Sequence, residues 1–569
     1  MSEHDALAIW LPDGRIAPPV NPYGRLIANA GVYRALARYG GYGRVHLQSR
    51  TPPPPAQLAA ELGVGAHGCE VTTGPLFSTA PAAQAGTLLS GQPYLTEPAW
   101  VRRHAGLDGT YSIVGTIFAF ASATHREQMM TSALAPVHEW DALICSSPSL
   151  RATVERTFDV WQEHLGERLS VSGLRLPRPQ LPVIGFGTDT EAIGVQASDR
   201  KARASMRTSL GIDDSDVVVY CLGRLSYYDK AFPQAMFKAV AAAQARTGVA
   251  THLVLTGWFP QGDADRSRFE EAARAYAPGV PLHILDGNDA SVVARCWAAA
   301  DIFLLLSDTI LETFGQALTE AMAAGLPLVV SDWDGYRWIV RDGVDGFLIP
   351  TLGAPGGPLG ESLGLAQQLG LADFAQYAGS VAQHTAVNVG RTTAALSALL
   401  TSPDLRRAMG AAGRARAQER FAWPVVAQQY IDLFDELAER RDRASGWPPE
   451  ATRDGVPGRR SNPLRGDPFA DFRTLPSQVL DDDIVLRLAP GATGAPAAPD
   501  LPVTELDQMF PGLRADDRET RQVIDLLASA GELPVRGILA EFPAQRRRFI
   551  RMTLVWLAKA GVVDWLAPP

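Results

Sequence analysis

Residues Val217 to Leu222 read VVVYCL, an apolar run with no polar alternation. A strand of this kind has to be covered on both faces, the condition met by a parallel sheet with helices above and below it. The segment Gln234–Thr247 then has a helical pattern, and further short apolar runs follow at His252–Thr256, Leu282–Leu285, Ile302–Leu306 and Leu328–Ser331. Strands alternating with helices predict consecutive β-α-β units.

The first third of the chain repeats the rhythm. Leu7–Leu11 reads as a strand and is followed by a loop containing Pro18, Pro19 and Pro22. A helix closes at Gly40-Gly41, and strands are expected at Val45–Leu47, Glu70–Thr72, Ser112–Phe118, Asp141–Cys145 and Leu181–Ile184. Ser146, Ser147 and Ser149 stand where they can cap a helix beginning near Pro148. At 569 residues the chain exceeds what one core can bury. The expected architecture is α/β: two facing Rossmann-like domains with parallel sheets, residues 1–190 and 191–420, with ligand in the cleft between them. A long amphipathic helix over 421–442 is expected next, with Phe421 and Trp423 as anchors. Residues 443–502 read as linker and low-complexity chain, and 503–569 as a small, mainly helical, winged-helix-like domain.

The net charge of −9 argues against general affinity for nucleic acid or anionic membrane. The four cysteines form no CxxC pair and read as reduced thiols of a cytosolic protein. The start MSEHDALAIW carries no basic region ahead of a long apolar run, and no spanning helix is expected, so the expected location is the cytoplasm. Docking on a membrane surface is left open.

Chemistry concentrates in Glu312–Pro327, ETFGQALTEAMAAGLP. A strand ends near Ser307, a loop carries Glu312, and a helix starts near Phe314-Gly315. The open N–H groups of a helix start seat phosphate or a sugar hydroxyl. Glu320 lies about two turns further along, so both carboxylates can face one cleft and accept from vicinal hydroxyls. A second signal, GRLSYYDK at Gly223–Lys230, follows the buried strand. There Arg224 offers a planar fork and Lys230 a point charge, together suited to a diphosphate leaving group. Thr256-Gly257-Trp258 should line the same pocket, and Asn288, in the Asp286-Gly287-Asn288 turn, is placed to meet a base. Gly24, in Asn21–Arg25, would allow a phosphate or acceptor to approach the first helix closely.

With Ala299–Asp301 before it and Val329–Asp332 and Asp342–Phe347 after it, the Glu312 segment resembles the retaining family-four glycosyltransferases of GT-B fold, over roughly residues 140–440. The resemblance implies that Glu320 binds the donor ribose and Glu312 faces the donor sugar. It implies that Phe314, Gly315 and Gln316 lie against sugar and phosphates, and that Gly223, Arg224 and Lys230 belong to the diphosphate site. The donor would be a nucleotide sugar, a UDP-sugar by preference, with no cofactor and no metal. A carbohydrate, lipid or peptide would be the acceptor. The family commonly has a histidine after a strand of the first domain; here that stretch is Ser112–Phe120 and has none, with His125 following.

Asp213–Asp216 and Asp481–Asp483 read as solvated turns rather than metal sites. Arg546, Arg547, Arg548 and Arg551 raise a DNA-binding reading, but one basic helix turn in an acidic chain favours a structural or partner-docking appendage. Two other readings stand beside glycosyl transfer: another GT-B enzyme, such as a phosphorylase or epimerase, and a non-catalytic nucleotide-sugar-binding or scaffold protein.

Overall fold

The computed structural model describes residues 5–64, 69–444, 460–489 and 505–566. It comprises two compact units, Met1–Asn462 and Pro463–Pro569.

The first unit holds two six-stranded parallel sheets. In the first sheet β1 (Ala6–Trp10), β2 (Arg44–Ser49), β3 (Glu70–Pro75), β4 (Thr87–Ser90), β5 (Ser112–Ile117) and β6 (Ala142–Cys145) lie in the order β3-β2-β1-β4-β5-β6. In the second, β7 (Val217–Leu222), β8 (Thr251–Gly257), β9 (Leu282–Asp286), β10 (Ile302–Leu305), β11 (Leu328–Ser331) and β12 (Gly346–Ile349) lie in the order β12-β11-β10-β7-β8-β9. Chain direction across the sheet reverses between β1 and β4 in one and between β7 and β10 in the other. Open α/β sheets bind ligands at the carboxyl ends of strands flanking such a reversal. A short antiparallel pair, β13 (Thr351–Gly353) and β14 (Thr385–Val387), lies beyond the second sheet.

The apolar runs do what their composition requires: Val218, Val219, Tyr220, Ile302, Phe303 and Leu304 are all buried in one core. The first domain also buries charge. Arg102 donates to both oxygens of Asp141, at 2.7 and 2.8 Å, and to the carbonyls of Tyr111 and Pro136. Asp141 in turn accepts from the backbone N–H groups of Ile113 and His138.

Leu181–Ile184 is not a ladder strand. Gln180 and Val183 make only isolated bridges to Ala142 and Cys145, because Pro177, Pro179 and Pro182 remove donors from the segment. Conversely, β4 is a strand of four residues, too short to show a periodicity.

Helix Trp423–Arg443 returns to the first domain, where Val426, Ala427, Tyr430, Leu433 and Leu437 enter its core. Trp423 fills the space over Gly31 and Gly187, where an added Cβ would lie 2.2 Å from the indole at either position. At its far end Arg441 donates to Gly86 O and Ser112 Oγ, both at 2.9 Å.

The second unit is a three-stranded antiparallel sheet, β16 (Glu532–Pro534), β15 (Val485–Leu488) and β17 (Val563–Trp565) in that order, with helices Asp517–Ala530, Val535–Ala540 and Arg547–Lys559. Leu486 joins Val523, Ile538, Ile550 and Leu554 in its core, although the sequence pattern places β15 in the linker. Residues 445–459 of that linker and the whole of 490–502 lie outside the described residues. Arg546 pairs with Glu519 and Arg551 with Asp482, so acids neutralise two of the four arginines of the basic patch. Among the described residues no helix is long and apolar enough to cross a membrane.

Candidate functional site

The site builds outward from three glycines at the carboxyl ends of the second sheet. Gly223 follows β7 with φ +149°, a backbone that side chains rarely adopt. A Cβ on Gly257, the last residue of β8, would lie 1.9 Å from Gly223 O, and one on Gly287 would lie 2.7 Å from Gly257 Cα. Backbones touch here, leaving the loops beyond them to carry the side chains of the site.

The β7 loop carries Arg224 and Lys230. Arg224 Nη1 donates to Asp229 Oδ2 at 2.8 Å. Lys230 Nζ pairs with the Glu312 carboxylate, which arrives on the loop after β10. The Lys230 and Glu312 side chains are 16% and 13% exposed, so their charges act through protein more than through water. Glu320 lies close enough to feel Lys230: burial pushes its carboxyl up to about 7, and the Lys230 charge draws it back. Lys230 and Glu312 are thus paired at the β7–β10 reversal, and Glu320 stands within range of the Lys230 charge.

The residues after β10 fix the Lys230 loop. Ser307 Oγ donates to Lys230 O at 3.0 Å, and Thr309 Oγ1 donates to Tyr228 O at 3.2 Å. Asp308 accepts from Phe232 N at 3.2 Å. Burial pushes the Asp308 carboxyl up to about 8, against the pull of the backbone N–H groups it accepts from. Ser307 and Asp308 give no signal in the sequence, because a polar residue just past a strand looks the same whether it is solvated or clamps a neighbouring loop; Asp229 gives none because its partner is Arg224 of its own loop.

Gly315 is the residue before helix Gln316–Ala324, at φ +101° and ψ +60°. A Cβ there would lie 2.4 Å from Tyr336 Cε1, so both backbone angle and packing demand glycine. Gln316 opens the helix and is partly exposed. Phe314 is placed differently from its neighbours. Its ring is 2% exposed and sits among Phe186, Trp338 and Phe421, so only its backbone remains to face a ligand.

The first domain meets this site directly. Thr313 Oγ1 donates to Phe118 O at 2.9 Å and accepts from Ser146 Oγ at 3.1 Å. Ser147 Oγ donates to Asp334, whose carboxyl is pushed up to about 6 by burial and by the Glu312 charge. Asn288 Nδ2 donates to Asn21 Oδ1 at 2.8 Å, and Asn21 N donates back to Asn288 Oδ1 at 3.0 Å. Gly24 is exposed, and a Cβ there would meet nothing within 4 Å; no protein atom requires glycine at that position. His125 rests against Tyr94 at 5.8 Å between ring centroids, and burial together with Arg25 lowers its pKa. Among the described residues no cluster of three or more His, Cys, Asp or Glu side chains is arranged to hold a metal ion.

A strand-loop-helix segment bearing paired acids, beside a cationic loop at a sheet reversal, coincides with a known family. Residues 202–352 match the glycosyl transferases group 1 family. That segment includes Gly223, Arg224, Lys230, Gly257, Asn288, Glu312 and Glu320. The phosphatidyl-myo-inositol mannosyltransferase of Mycobacterium leprae is 33% identical over 171 residues, 30% of this chain and 36% of the relative. The D-inositol 3-phosphate glycosyltransferase of Actinosynnema mirum is 32% identical over 151 residues, 26% and 35% of the two chains. The chain thus spans about a third of the length of these two relatives. Among solved structures, HepE of Anabaena in complex with UDP and glucose superposes with a TM-score of 0.49 and 14% identity, covering 76% of this chain and all of that one. WaaG, a glycosyltransferase involved in lipopolysaccharide biosynthesis, gives 0.43 and 16%, over 75% and 98%.

Proposed function

We propose that this chain is a glycosyltransferase that moves a hexose from a nucleotide-sugar donor to a carbohydrate, lipid or peptide acceptor, with retention of anomeric configuration. The observation that carries this reading is the Lys230–Glu312 pair at the β7–β10 reversal, with Glu320 beside it. The group 1 match over the same residues supports it.

In this reading Arg224 and Lys230 hold the donor diphosphate. Glu320 accepts from the ribose hydroxyls, and Glu312 faces the transferred sugar. Gly315 and Gln316 present open N–H groups of the helix start to the sugar and phosphates. The acceptor oxygen attacks the anomeric carbon on the face from which the diphosphate departs. As the bond from that carbon to the phosphate oxygen breaks, the acceptor proton passes to the departing phosphate. Negative charge grows on the leaving group, where Arg224 and Lys230 stabilise it. Backbone at Gly257 and Asn288 lies toward the base, and a UDP-sugar is the preferred donor.

Calorimetric titration with UDP-, GDP- and ADP-sugars, followed by donor turnover, tests the proposal. One donor should bind, and Glu312→Ala should cut turnover far more than affinity. Binding without any turnover, donor hydrolysis included, would instead mark a non-catalytic nucleotide-sugar-binding protein.

A further inference from the structure

The loop between β1 and the first helix crosses to the second domain and ends against Arg224. Its near end is fixed at home, where the Ile16 and Ala17 N–H groups donate to Glu61 Oε2 at 2.9 and 3.0 Å. Prolines at 18, 19 and 22 narrow its backbone choices. Asn21, at φ +55°, is locked to Asn288 by the reciprocal pair of hydrogen bonds. Two residues on, Tyr23 lies under the Arg224 guanidinium, 4.8 Å from ring centroid to Cζ. The same ring meets Trp258 edge-on at 5.9 Å.

Arg224 is therefore held from two sides. Asp229 grips Nη1 from within its own loop, and the face of Tyr23 lies against the guanidinium carbon from the other domain. Asp229 alone leaves the fork free to swing about one contact. The aromatic face removes that freedom, because a cation is attracted to the ring's negative face and a flat guanidinium stacks on it.

We propose that Tyr23 is a positioning residue: it orients Arg224 toward the donor diphosphate, and so makes the diphosphate site complete only when the first domain is seated on the second. The proposal rests on the reading of Arg224 as a diphosphate-holding residue. Tyr23 acts through Arg224 and needs only its ring, not its hydroxyl.

The test is calorimetric titration of the full chain with UDP, GDP and ADP, comparing the parent with Tyr23→Phe, Tyr23→Leu and Tyr23→Ala. For whichever diphosphate binds the parent, Phe should match it within about twofold, while Leu and Ala should weaken binding by roughly 3- to 10-fold, the span of a partly exposed cation–π contact. In an Arg224→Ala background, titrated to millimolar ligand, Tyr23→Ala should cost no further affinity. Parent-like binding by Leu and Ala would overturn the proposal, as would Phe weakened as much as Ala, or an undiminished Tyr23→Ala effect in the Arg224→Ala background. If the parent binds none of the three, the donor reading itself fails and Tyr23 has nothing to orient.

Discussion

Lys230 and Glu312 close an ion pair between the loops that follow β7 and β10, neighbouring strands on opposite sides of the sheet's reversal. They are 82 residues apart in sequence. The strand order of this open α/β sheet brings the two loops together, at the kind of reversal where such sheets bind ligands. Glu320, on the helix that follows the Glu312 loop, feels the charge of the same cation.

Glu320 makes donor binding pH-dependent in a definite direction. Its carboxyl stands at about 7, so it becomes protonated as pH falls below 7 and loses acceptor capacity for ribose hydroxyls. Donor affinity should fall as pH drops from 8 to 6. Glu320→Gln should bind more weakly at pH 8 and show a flatter profile. Calorimetry across that range checks both; an unchanged slope in the variant would remove Glu320 from the contact.

Asp308 sets a pH dependence of stability. Its carboxyl stands at about 8 in the folded chain against an ordinary 3.8. Between those values the folded state holds a proton that the unfolded state releases, so stability falls as pH rises. Asp308→Asn cannot ionise. Its melting temperature relative to the parent should therefore become more favourable from pH 4.5 to pH 8.5. Parallel melting curves for the two proteins at all pH values would show that Asp308 titrates normally.

Gly315→Ala combines a forbidden backbone angle with a Cβ driven into Tyr336. The variant should lose about 1–3 kcal/mol of stability from the backbone alone, and the helix start should shift. Denaturant unfolding monitors the first effect and donor titration the second. A variant with parental stability and affinity would refute this description of the helix start.

Asp141→Ala strips the buried Arg102 guanidinium of its two-oxygen partner and leaves it only Asp108 Oδ1, at 3.9 Å. Breaking a buried pair from one side costs about 3–5 kcal/mol, so the first domain should unfold at markedly lower denaturant. Replacing Arg102 and Asp141 together by apolar residues should cost less than the single change.

The sequence exposes the scaffold more readily than the site's supports. Val217–Leu222 and Ile302–Leu306 announce buried strands because their composition leaves them nowhere else to go. Four-residue β4 carries no such signal, and the prolines around Leu181–Ile184 turn an apolar stretch into a bridge-making segment instead of a strand. In the site, Arg224, Lys230, Glu312 and Glu320 stand out by charge and by their spacing from strand ends. Tyr23 and Asp308 do not, because each works through a contact with another loop that exists only once the sheets are formed; nor does Asp229, which works by gripping Arg224 within its own loop. Phe314 shows the opposite limit: adjacency to Gly315 places it in the motif, but its ring belongs to the aromatic core with Phe186 and Phe421.

The role of the Lys230–Glu312 pair is measured by single-turnover transfer, or hydrolysis in its stead, of the best-binding nucleotide sugar by the parent, Lys230→Ala and Glu312→Ala. The parent should turn over and each variant should fall by about 10²- to 10³-fold, with Glu312→Ala keeping near-parental nucleotide affinity and Lys230→Ala losing it. Equal turnover in all three proteins, or no nucleotide sugar bound by the parent, would contradict that role.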